Sequence, residues 1–520
     1  MVNKDTPIVR TRFAPSPTGH VHIGSLRTCL FNYLYAKQKN GQYVLRIEDT
    51  DAERSKFEWE HELIKILEWL QINWDEGPAL INGQKFNPDD YKMDYVGPYA
   101  PYRQSERKDI YKKYLQQMLA NGTAYYCFCS REDVEAEKQY LMSIGEAPIY
   151  KGKCRDLGRS EVEQCLAQGK DSVIRFKCPL NHKIIFNDLI KGEVEFDSNI
   201  IGDIVIAKDL DNALYNFTVV VDDEEMKISH IIRGDEHLSN APKQILLIEA
   251  LGFKQPQYAH IPLILGPDKK KLSKRDGKTS VVDYKDAGYL PEALINFIAF
   301  LGWNPGTEKE IYSMDELIKD FSLEKIQKAG AIFNIDKLDW INGFYIRKKP
   351  LADLTEMVVP YLEKAGLIEE KAAELYEIKN TGEEVMFNYL EKVVALYQER
   401  LKKLSEIVEM VDLFFVKDLA YEKELLNWKE MTDVDLVESL KKSHEILSNI
   451  DENNFNKDNL EPILMEQAEK MPNRGNLLWP LRVALTGKKN SAGPIEIAEA
   501  LGKEKTLQRI DSALQLIKET

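Results

Sequence analysis

The chain has 520 residues, 43% of them hydrophobic and 30% charged, with a formal net charge of −15 at pH 7. This length is too great for one ordinary core, so we expect two to four domains. The sequence has no run of about 18 apolar residues, and its polar start has no apolar signal segment. We therefore expect neither a transmembrane helix nor a secretory signal. A nucleic-acid partner is compatible with the negative charge, because it needs only a local basic face.

The first predicted elements are a strand over residues 8–14 and a helix over residues 25–35. The helix has apolar side chains recurring at i, i+4, i+7 and i+8, which places them on one face. Pro15 and Pro17 break the strand and fix the backbone between the two elements. A strand that turns directly into a helix directs free backbone N–H groups at a phosphate, so this turn is a candidate nucleotide site.

Small and polar residues in the same turn support this interpretation. Gly19 and Gly24 leave room for a ligand to approach the main chain, and His22 offers a donor where the helix begins. The alternative is an ordinary surface loop with a surface histidine. Taken singly, each of these residues fits that alternative better.

A second predicted strand, over residues 42–51, ends in acidic residues. A carboxylate at the end of a parallel strand faces the crevice where such sheets bind ligands, so Glu48 is a candidate partner for an ammonium group. The alternative is a solvated strand end. An amphipathic helix over 58–70 follows, and residues 82–96 form a polar, aperiodic segment.

The next region combines a predicted helix with a cysteine pattern. Ser105 is a candidate N-cap for a helix to about residue 119, and Gly122 ends it. Cys127 and Cys129 precede a distant Cys154, which is a partial zinc pattern because a closed structural site needs four ligands. Reduced thiols without a metal are the alternative. Six cysteines without extracellular context indicate a cytoplasmic protein and no disulfide framework.

Further along the chain, four short apolar runs have the character of strands. They cover residues 173–178, 204–207, 214–223 and 228–232, and a helix over 241–251 follows them. Arg233 ends the last strand, as Arg12 ends the first. Two guanidinium groups in one crevice suit a carboxylate, because the planar fork binds it through two hydrogen bonds.

A basic loop over residues 266–277 and a helical C-terminal region complete the predicted elements. The loop contains four lysines and one arginine, and its alternative is a solvated run of charge. Helical periodicity dominates after residue 351. The predicted helices cover residues 351–365, 387–404, 433–447, 460–468 and 495–501.

Two motifs resemble those of class I aminoacyl-tRNA synthetases, in the form found in the glutamyl enzymes. The first is Pro-Ser-Pro-Thr-Gly over 15–19 with His-Ile-Gly-Ser over 22–25, and the second is Lys-Leu-Ser-Lys-Arg over 271–275. One departure is Ser25, which stands where the family motif has a second His. The glutaminyl branch differs, with Pro-Glu-Pro-Asn-Gly in the first motif and a β-barrel anticodon region.

The resemblance implies three sets of site residues. The glutamate-binding set is Arg12, Ala14, Ser16, Glu48, Tyr215 and Arg233. The ATP-binding set is Pro15, Ser16, Pro17, Thr18, Gly19, His22, Ile23, Gly24, Ser25, Glu236, His237, Lys271, Leu272, Ser273, Lys274 and Arg275, of which His22 and Lys274 are the implied catalytic residues. The metal set is zinc on Cys127, Cys129 and Cys154, with Tyr150 and Asp156 as alternatives for the fourth ligand.

The resemblance also implies a multidomain α/β plus α fold. The expected parts are a Rossmann-like parallel-sheet catalytic domain (1–120 and 226–262), an α+β acceptor-binding insertion (121–225), a stem-contact domain (263–350) and an all-helical anticodon-binding region (351–520). Its implied activity is ATP-dependent joining of L-glutamate to tRNA(Glu), with Mg²⁺ accompanying ATP and tRNA(Gln) left open as a second substrate. A monomer is implied, without membrane attachment. The alternatives are a glutamyl-queuosine tRNA synthetase, which lacks the helical C-terminal module, and a non-catalytic tRNA-binding paralogue.

Overall fold

The structure is a computed structural model that describes residues 8–51, 53–79, 94–272 and 279–519. The described residues divide into two compact units. The first lies within Met1–Lys285 and Pro291–Ile335, and the second comprises Asp286–Leu290 and the chain from Asp336 onward. The finer five-part division that the resemblance implies stays a prediction.

The first unit mixes strands and helices. Among its described residues, the strands are β1 (Arg10–Phe13), β2 (Gln42–Leu45), β3 (Gly77–Pro78), β4 (Tyr95–Val96), β5 (Ala124–Cys127), β6 (Val173–Phe176), β7 (Lys183–Asp188), β8 (Gly192–Asp197), β9 (Val205–Ala207), β10 (His230–Gly234), β11 (Gln257–Ile261), β12 (Ile264–Leu265) and β13 (Ala331–Ile332). Its helices are α1 (Ile23–Gln38), α2 (Phe57–Trp69), α3 (Lys108–Ala120), α4 (Arg131–Ser143), α5 (Arg159–Ala167), α6 (Tyr215–Glu225), α7 (Ala241–Leu251), α8 (Val281–Asp286), α9 (Pro291–Ala299) and α10 (Met314–Asp320).

Parallel strands form the centre of this unit, as the Rossmann-like prediction requires. β1 pairs in parallel with β2, and β10 pairs in parallel with β11. The Ser229 N–H donates to the Arg10 carbonyl at 3.0 Å, which places the start of β10 beside β1. These strands are buried along almost their whole length, as parallel strands covered on both faces are. Their carboxyl ends consequently meet at one edge, where such sheets bind ligands.

Residues 124–207, which fall within the predicted α+β insertion, combine strands with helices. β5, β6 and β9 form an antiparallel sheet accompanied by α4 and α5. β7 and β8 form a hairpin, and Asp188 at the end of β7 pairs in parallel with Tyr258 of β11. The insertion is therefore bonded directly to the central sheet at Asp188.

Two predicted elements of this unit are wrong. Residues 214–223 were expected as a strand, but Tyr215–Glu225 is helix α6, in which Val219, Val220 and Val221 are all buried. A short apolar run that is buried all round cannot be assigned to strand or helix from periodicity, and tertiary packing overrides the β-propensity of valine. Ser105 is not an N-cap: its N–H and hydroxyl donate to Asp49, and the helix begins at Lys108.

The second unit is mainly helical, whereas residues 351–520 were predicted to be all-helical and the helix predicted over 387–404 ends at Ala395. Its helices are α11 (Ile335–Lys348), α12 (Leu351–Lys364), α13 (Phe387–Ala395), α14 (Ile407–Val411), α15 (Asp433–Ser448), α16 (Lys457–Glu469), α17 (Gly475–Thr486), α18 (Pro494–Leu501) and α19 (Lys503–Glu519). The structure adds an antiparallel sheet of β14 (Ile368–Ala372), β15 (Leu375–Ile378) and β16 (Glu383–Met386), which sequence periodicity did not indicate. In the described ranges, no helix is both long and apolar enough to span a bilayer.

Candidate active site

An open cavity of about 230 Å³ lies at the carboxyl ends of β1 and β10, beside the start of α1. All six residues of the predicted glutamate-binding set line it. So do five further members of the predicted ATP-binding set and three residues that were not predicted. The lining residues are Arg12, Phe13, Ala14, Pro15, Ser16, Gly24, Ser25, Thr28, Glu48, Tyr215, Arg233, Gly234, Glu236 and His237.

Arg12 reaches the cavity from β1 and is held from behind by a carboxylate. Asp223 of α6 accepts from Arg12 Nε at 3.1 Å and from Arg46 Nη1 at 2.7 Å. All three side chains are buried. Burial alone would raise the pKa of Asp223, but attraction to Arg12 and Arg46 outweighs it and lowers the pKa. Asp223 is thus the buried counter-ion that sequence analysis missed, because it lies far from Arg12 in sequence.

The neighbouring carboxylate on α6 makes a separate set of hydrogen bonds. Asp222 accepts from Arg107 Nε at 2.6 Å, from Gln104 Nε2 at 2.8 Å and from the Tyr111 hydroxyl at 2.8 Å. The two adjacent carboxylates therefore point to different partners. Asp223 supports the arginine of the cavity, and Asp222 fixes α6 to the segment that leads into α3.

Glu48 enters the cavity from just beyond β2. It is 6% exposed and accepts from Arg46 Nη2 at 2.9 Å. Burial raises the pKa of Glu48, and attraction to Arg46 and Arg12 opposes this rise. An ammonium group bound in the cavity would further favour the ionised carboxylate.

Arg233 ends β10 and is 5% exposed. Its Nε donates to His260 Nε2 at 3.1 Å, and its Nη1 donates to Gln244 Oε1 at 2.7 Å. Nη2 is buried without a hydrogen-bond partner among the described residues. A buried guanidinium nitrogen without a partner is costly, so its place in the wall of a cavity suits an anionic ligand.

Tyr215 and His237 also line the cavity. The Tyr215 hydroxyl is 3.3 Å from His237 Nδ1, and burial followed by the charge of Arg233 lowers the pKa of His237 to about 4. His237 is therefore neutral at pH 7. Because Tyr215 lies in the first turn of α6, its side chain reaches the cavity only when this segment is helical.

The start of α1 lies beside the cavity, and two of its first N–H groups already have acceptors. His22 is the N-cap residue, and its Nδ1 accepts from Gly24 N–H at 3.0 Å. With Nδ1 accepting, the ring proton of the neutral imidazole is on Nε2, which keeps a donor on His22. The Ile23 N–H donates to the Thr279 carbonyl, which ties the helix start to the segment after the basic loop.

The other described residues of the predicted ATP-binding set do not line the cavity. Pro17, Thr18 and Gly19 lie in the turn before α1, and Lys271 bridges back to Leu265 of β12. The Leu272 N–H donates to the Ile264 carbonyl at 2.9 Å. Ser273, Lys274 and Arg275 lie outside the described residues.

The three cysteines of the predicted metal set come together in the insertion. The Sγ atoms of Cys127, Cys129 and Cys154 all lie within 4.8 Å of one another, and those of Cys129 and Cys154 are 3.6 Å apart. The Tyr150 hydroxyl is 3.4 Å from Cys127 Sγ and 3.3 Å from Cys129 Sγ. Asp156 instead is exposed and pairs with Lys177 at 3.1 Å. Of the two alternatives for the fourth ligand, Tyr150 is the one that lies beside the sulfurs.

Family models match almost the whole chain. The model described as tRNA synthetases class I (E and Q), catalytic domain, matches residues 8–340, and the model described as anticodon binding domain matches residues 352–514. The second match covers the helical C-terminal region.

Individual relatives agree with the family models. The chain is 46% identical over 514 residues to a glutamate–tRNA ligase of Caldicellulosiruptor saccharolyticus, covering 97% of this chain and 98% of the relative. It is 44% identical over 504 residues to a glutamate–tRNA ligase of Carboxydothermus hydrogenoformans, covering 97% and 99%.

Solved structures show the same likeness. A glutamate tRNA ligase from Elizabethkingia meningosepticum, crystallised in complex with its amino acid, is similar with a TM-score of 0.82 and 34% identity, covering 98% of this chain and 99% of that one. A glutamate-tRNA synthetase from Elizabethkingia anophelis is similar at the same TM-score and 33% identity, covering 98% of this chain and 100% of that one. Sequence motifs, cavity and full-length likeness agree, and the chain belongs to the class I tRNA synthetase family, among the glutamate–tRNA ligases.

Proposed function

We propose that this chain joins L-glutamate to tRNA in two steps driven by ATP. The observation that supports it most directly is the buried Nη2 of Arg233, which lacks a partner in a cavity that also contains Arg12, Glu48 and Tyr215. An anion on Arg233 and a cation on Glu48, within one cavity, fit the two charged ends of an acidic amino acid.

In this proposal the side-chain carboxylate of glutamate binds Arg12, Arg233 and Tyr215, and its ammonium group binds Glu48. Ala14 and Ser16 lie beside the substrate. The α-carboxylate then attacks the α-phosphorus of ATP, which gives glutamyl-adenylate and releases pyrophosphate. In the second step the terminal ribose hydroxyl of tRNA takes the glutamyl group, and AMP leaves.

Neither step requires a covalent enzyme intermediate, so the residues act by positioning and by placing positive charge where negative charge grows. His22 and the turn that leads into α1 would hold the phosphates, whereas the Ile23 and Gly24 N–H groups already donate to Thr279 and His22. Lys274, which lies outside the described residues, is expected to neutralise the departing pyrophosphate. Mg²⁺ would accompany ATP as the counter-ion of its phosphates.

ATP–pyrophosphate exchange with each of the twenty amino acids, with and without tRNA, tests this function. We expect exchange with glutamate alone, and tRNA belongs in the assay because this family typically activates glutamate only when tRNA is bound. Absence of exchange under all conditions would support the non-catalytic paralogue instead. Glutamate activation followed by transfer to queuosine in tRNA would support the glutamyl-queuosine enzyme, against which the match over residues 352–514 argues.

We further propose that Cys127, Cys129, Cys154 and Tyr150 hold a zinc ion. Two thiolates bound tetrahedrally at about 2.3 Å from zinc lie about 3.8 Å apart, close to the 3.6 Å between Cys129 and Cys154. A structural zinc ion would cross-link β5 to the segment around Cys154. Tyr150 itself is oriented by Cys154 N–H, which donates to its hydroxyl at 2.9 Å, and by Arg175, whose guanidinium lies 4.0 Å over its ring.

Metal analysis of the purified protein tests this zinc site, and we expect one equivalent of zinc. Cys154→Ser should lose the metal and lower the unfolding temperature, whereas Cys165→Ser, which changes a cysteine outside the cluster, should keep both. Equal zinc content in the two variants would refute the assignment.

The partner tRNA is proposed to be tRNA(Glu), with charging of tRNA(Gln) decided by aminoacylation of both purified species. The family expectation of a monomer that acts in the cytoplasm is tested by light scattering and by fractionation. The division into catalytic halves, insertion, stem-contact domain and anticodon-binding region is proposed on the same family grounds.

A further inference from the structure

A chain of three buried side chains runs from the insertion to the wall of the cavity. Asp188 Oδ2 is 2.6 Å from His260 Nδ1, and His260 Nε2 is 3.1 Å from Arg233 Nε. Asp188 and His260 are 1% and 0% exposed, and Arg233 is 5% exposed. Solvent therefore cannot replace either hydrogen bond without opening the core.

The direction of the protons along this chain follows from chemistry. An arginine side chain can only donate, so Nε2 of His260 must accept from Arg233 Nε. Burial and the charge of Arg233 lower the pKa of His260, against the effect of Asp188, so the imidazole is neutral at pH 7. Its one proton is then on Nδ1 and is donated to Asp188.

Asp188 is itself fixed by the backbone. Its Oδ1 accepts from the N–H groups of Ile190 and Lys191, each at 2.9 Å, and its Oδ2 accepts from His260 N–H at 3.1 Å. Burial would raise the pKa of Asp188, but the His260 hydrogen bond and these backbone donors lower it. The carboxylate is thus ionised, is held in one orientation, and accepts a hydrogen bond from the ring N–H of His260.

These contacts leave Arg233 little freedom. Nε is held by His260 and Nη1 by Gln244, which in turn donates to Asn216 at 3.2 Å. The guanidinium is planar, so fixing two of its nitrogens also fixes the third, Nη2, which has no partner among the described residues. The orientation of the Arg233 guanidinium, which belongs to a residue that lines the cavity, is thereby set from behind.

We propose that His260 and Asp188 are positioning residues that hold Arg233 in the orientation that binds the acidic side chain of the substrate. This proposal rests on the proposed function. Neither residue lines the cavity, so both act through Arg233. They raise the affinity for glutamate and its selectivity over uncharged analogues, and they have no part in phosphate chemistry.

Two variants of His260 separate the two hydrogen bonds. The amide of Asn reaches the position of Nδ1, so His260→Asn keeps a donor for Asp188 and removes the acceptor for Arg233. The longer Gln reaches the position of Nε2, so His260→Gln keeps the acceptor and loses the donor. Both are neutral polar amides, which makes them matched controls.

Pyrophosphate exchange in the presence of tRNA, with full kinetics for glutamate and ATP, measures the effect. For His260→Asn we expect KM for glutamate to rise about ten- to a hundred-fold, as for loss of a hydrogen bond to a charged group, with KM for ATP unchanged and kcat nearly so. In His260→Gln, KM for glutamate should return most of the way to the wild-type value. Unchanged KM for glutamate in His260→Asn, or an equal rise in KM for glutamate and for ATP, would overturn the proposal.

A spectroscopic measurement tests the chain of hydrogen bonds without activity. In wild-type protein labelled with ¹⁵N-histidine, the signals of His260 should show a protonated Nδ1 and an unprotonated Nε2, whereas a proton on Nε2 would refute the geometry even if both variants failed to fold. Thermal unfolding shows whether the variants are folded. If the wild-type protein catalysed no glutamate-dependent pyrophosphate exchange, the proposed function would fail. The tautomer of His260 would still show whether the hydrogen-bond chain exists.

Discussion

At the scale of single residues, the cavity is built from charges whose partners are buried behind them. Arg46 is fully buried and contacts both Asp223 and Glu48, so it links the residue behind Arg12 to the carboxylate proposed to bind the ammonium group. Buried charges are tolerated only when paired and hydrogen-bonded. The charged side chains of the site would therefore be paired and held in place before the substrate binds.

Lys274 is expected to act on the leaving pyrophosphate, so its removal should slow adenylation. Loss of one such transition-state contact commonly costs about 10²- to 10³-fold in rate, and we expect this loss for Lys274→Ala, with little change in KM for glutamate. Lys270→Ala is the matched control, because Lys270 is exposed and lies in the same basic loop. A full exchange rate in Lys274→Ala would contradict the role.

The neutral state of His237 predicts a pH effect on stability. Folding lowers the pKa of His237 from 6.5 to about 4, so as the pH falls the unfolded chain takes up the proton before the folded one. The contribution of this residue is complete above about pH 6.5 and is lost as the pH falls through about 4. In His237→Gln the fall in unfolding temperature between neutral pH and about pH 5 should be smaller than in wild type.

The ¹H NMR titration of His237, identified by its absence in the variant, gives the pKa directly. A midpoint at the ordinary value would contradict the burial argument. The other histidines with a lowered pKa, His61, His230 and His260, remain in both proteins, so the difference between the curves isolates His237.

The sequence predicted the residues that face the cavity better than those behind them. Arg12 and Glu48 lie near the ends of predicted strands and Arg233 directly follows one, where parallel-sheet geometry places ligand-binding side chains. Asp223 and His260 come from other elements, and only the folded arrangement brings them to the two arginines. Position along a strand is visible in a sequence, but the partner of a buried charge is a long-range contact.

At the scale of elements, turn geometry constrains the segment that leads into the catalytic core. Gly97 has φ of +117°, and a Cβ there would lie 2.3 Å from the Tyr102 hydroxyl. That hydroxyl donates to Glu76, which also pairs with Arg10 of β1. Gly97→Ala should therefore destabilise the protein by about 1 to 3 kcal/mol from the backbone conformation alone.

Urea unfolding of Gly97→Ala measures this cost. Gly122→Ala is the comparison, since Gly122 also has positive φ but its Cβ would meet no atom within 4 Å. The larger loss is expected at Gly97, where the added methyl group displaces Tyr102. An equal loss at both positions would mean that the contact with Tyr102 contributes nothing.

Helices and strands were predicted correctly where the apolar periodicity extends over many residues. Their prediction failed where the apolar run is short. The helix at 23–38 and the parallel strands on either side of it carry clear patterns. The segment 215–225 does not, because a helix that is buried on every side shows the same apolar run as a strand. The meander of β14, β15 and β16 escaped prediction because its outer strands, β14 and β16, are mainly exposed and do not show a clear alternation of apolar and polar residues.

For the molecule as a whole, the net charge of −15 predicts that salt affects the binding of tRNA and of glutamate differently. tRNA must contact local basic patches on an acidic protein, and those contacts release counter-ions, so its affinity should fall steeply with salt. Glutamate meets buried charges, which salt screens little. Between about 50 and 200 mM salt, KM for tRNA should rise by at least about ten-fold, while KM for glutamate changes little.

Aminoacylation kinetics across this salt range provide the measurement. Potassium chloride and potassium acetate are compared so that an effect of the anion itself is recognised. Parallel increases of both KM values would show that the glutamate site is not shielded as its burial implies.

The adjacent carboxylates Asp222 and Asp223 impose a constraint on the length of the chain. Successive helical residues point about 100° apart, so Tyr215, Asp222 and Asp223 reach their three different destinations only in one helical phase. Inserting or deleting a single residue between Tyr215 and Asp222 would swing both acids away from their arginines at once. A change in the length of the preceding insertion must therefore be accommodated in the residues before Leu214. The helical phase of α6, and with it the direction of these three side chains, then stays the same.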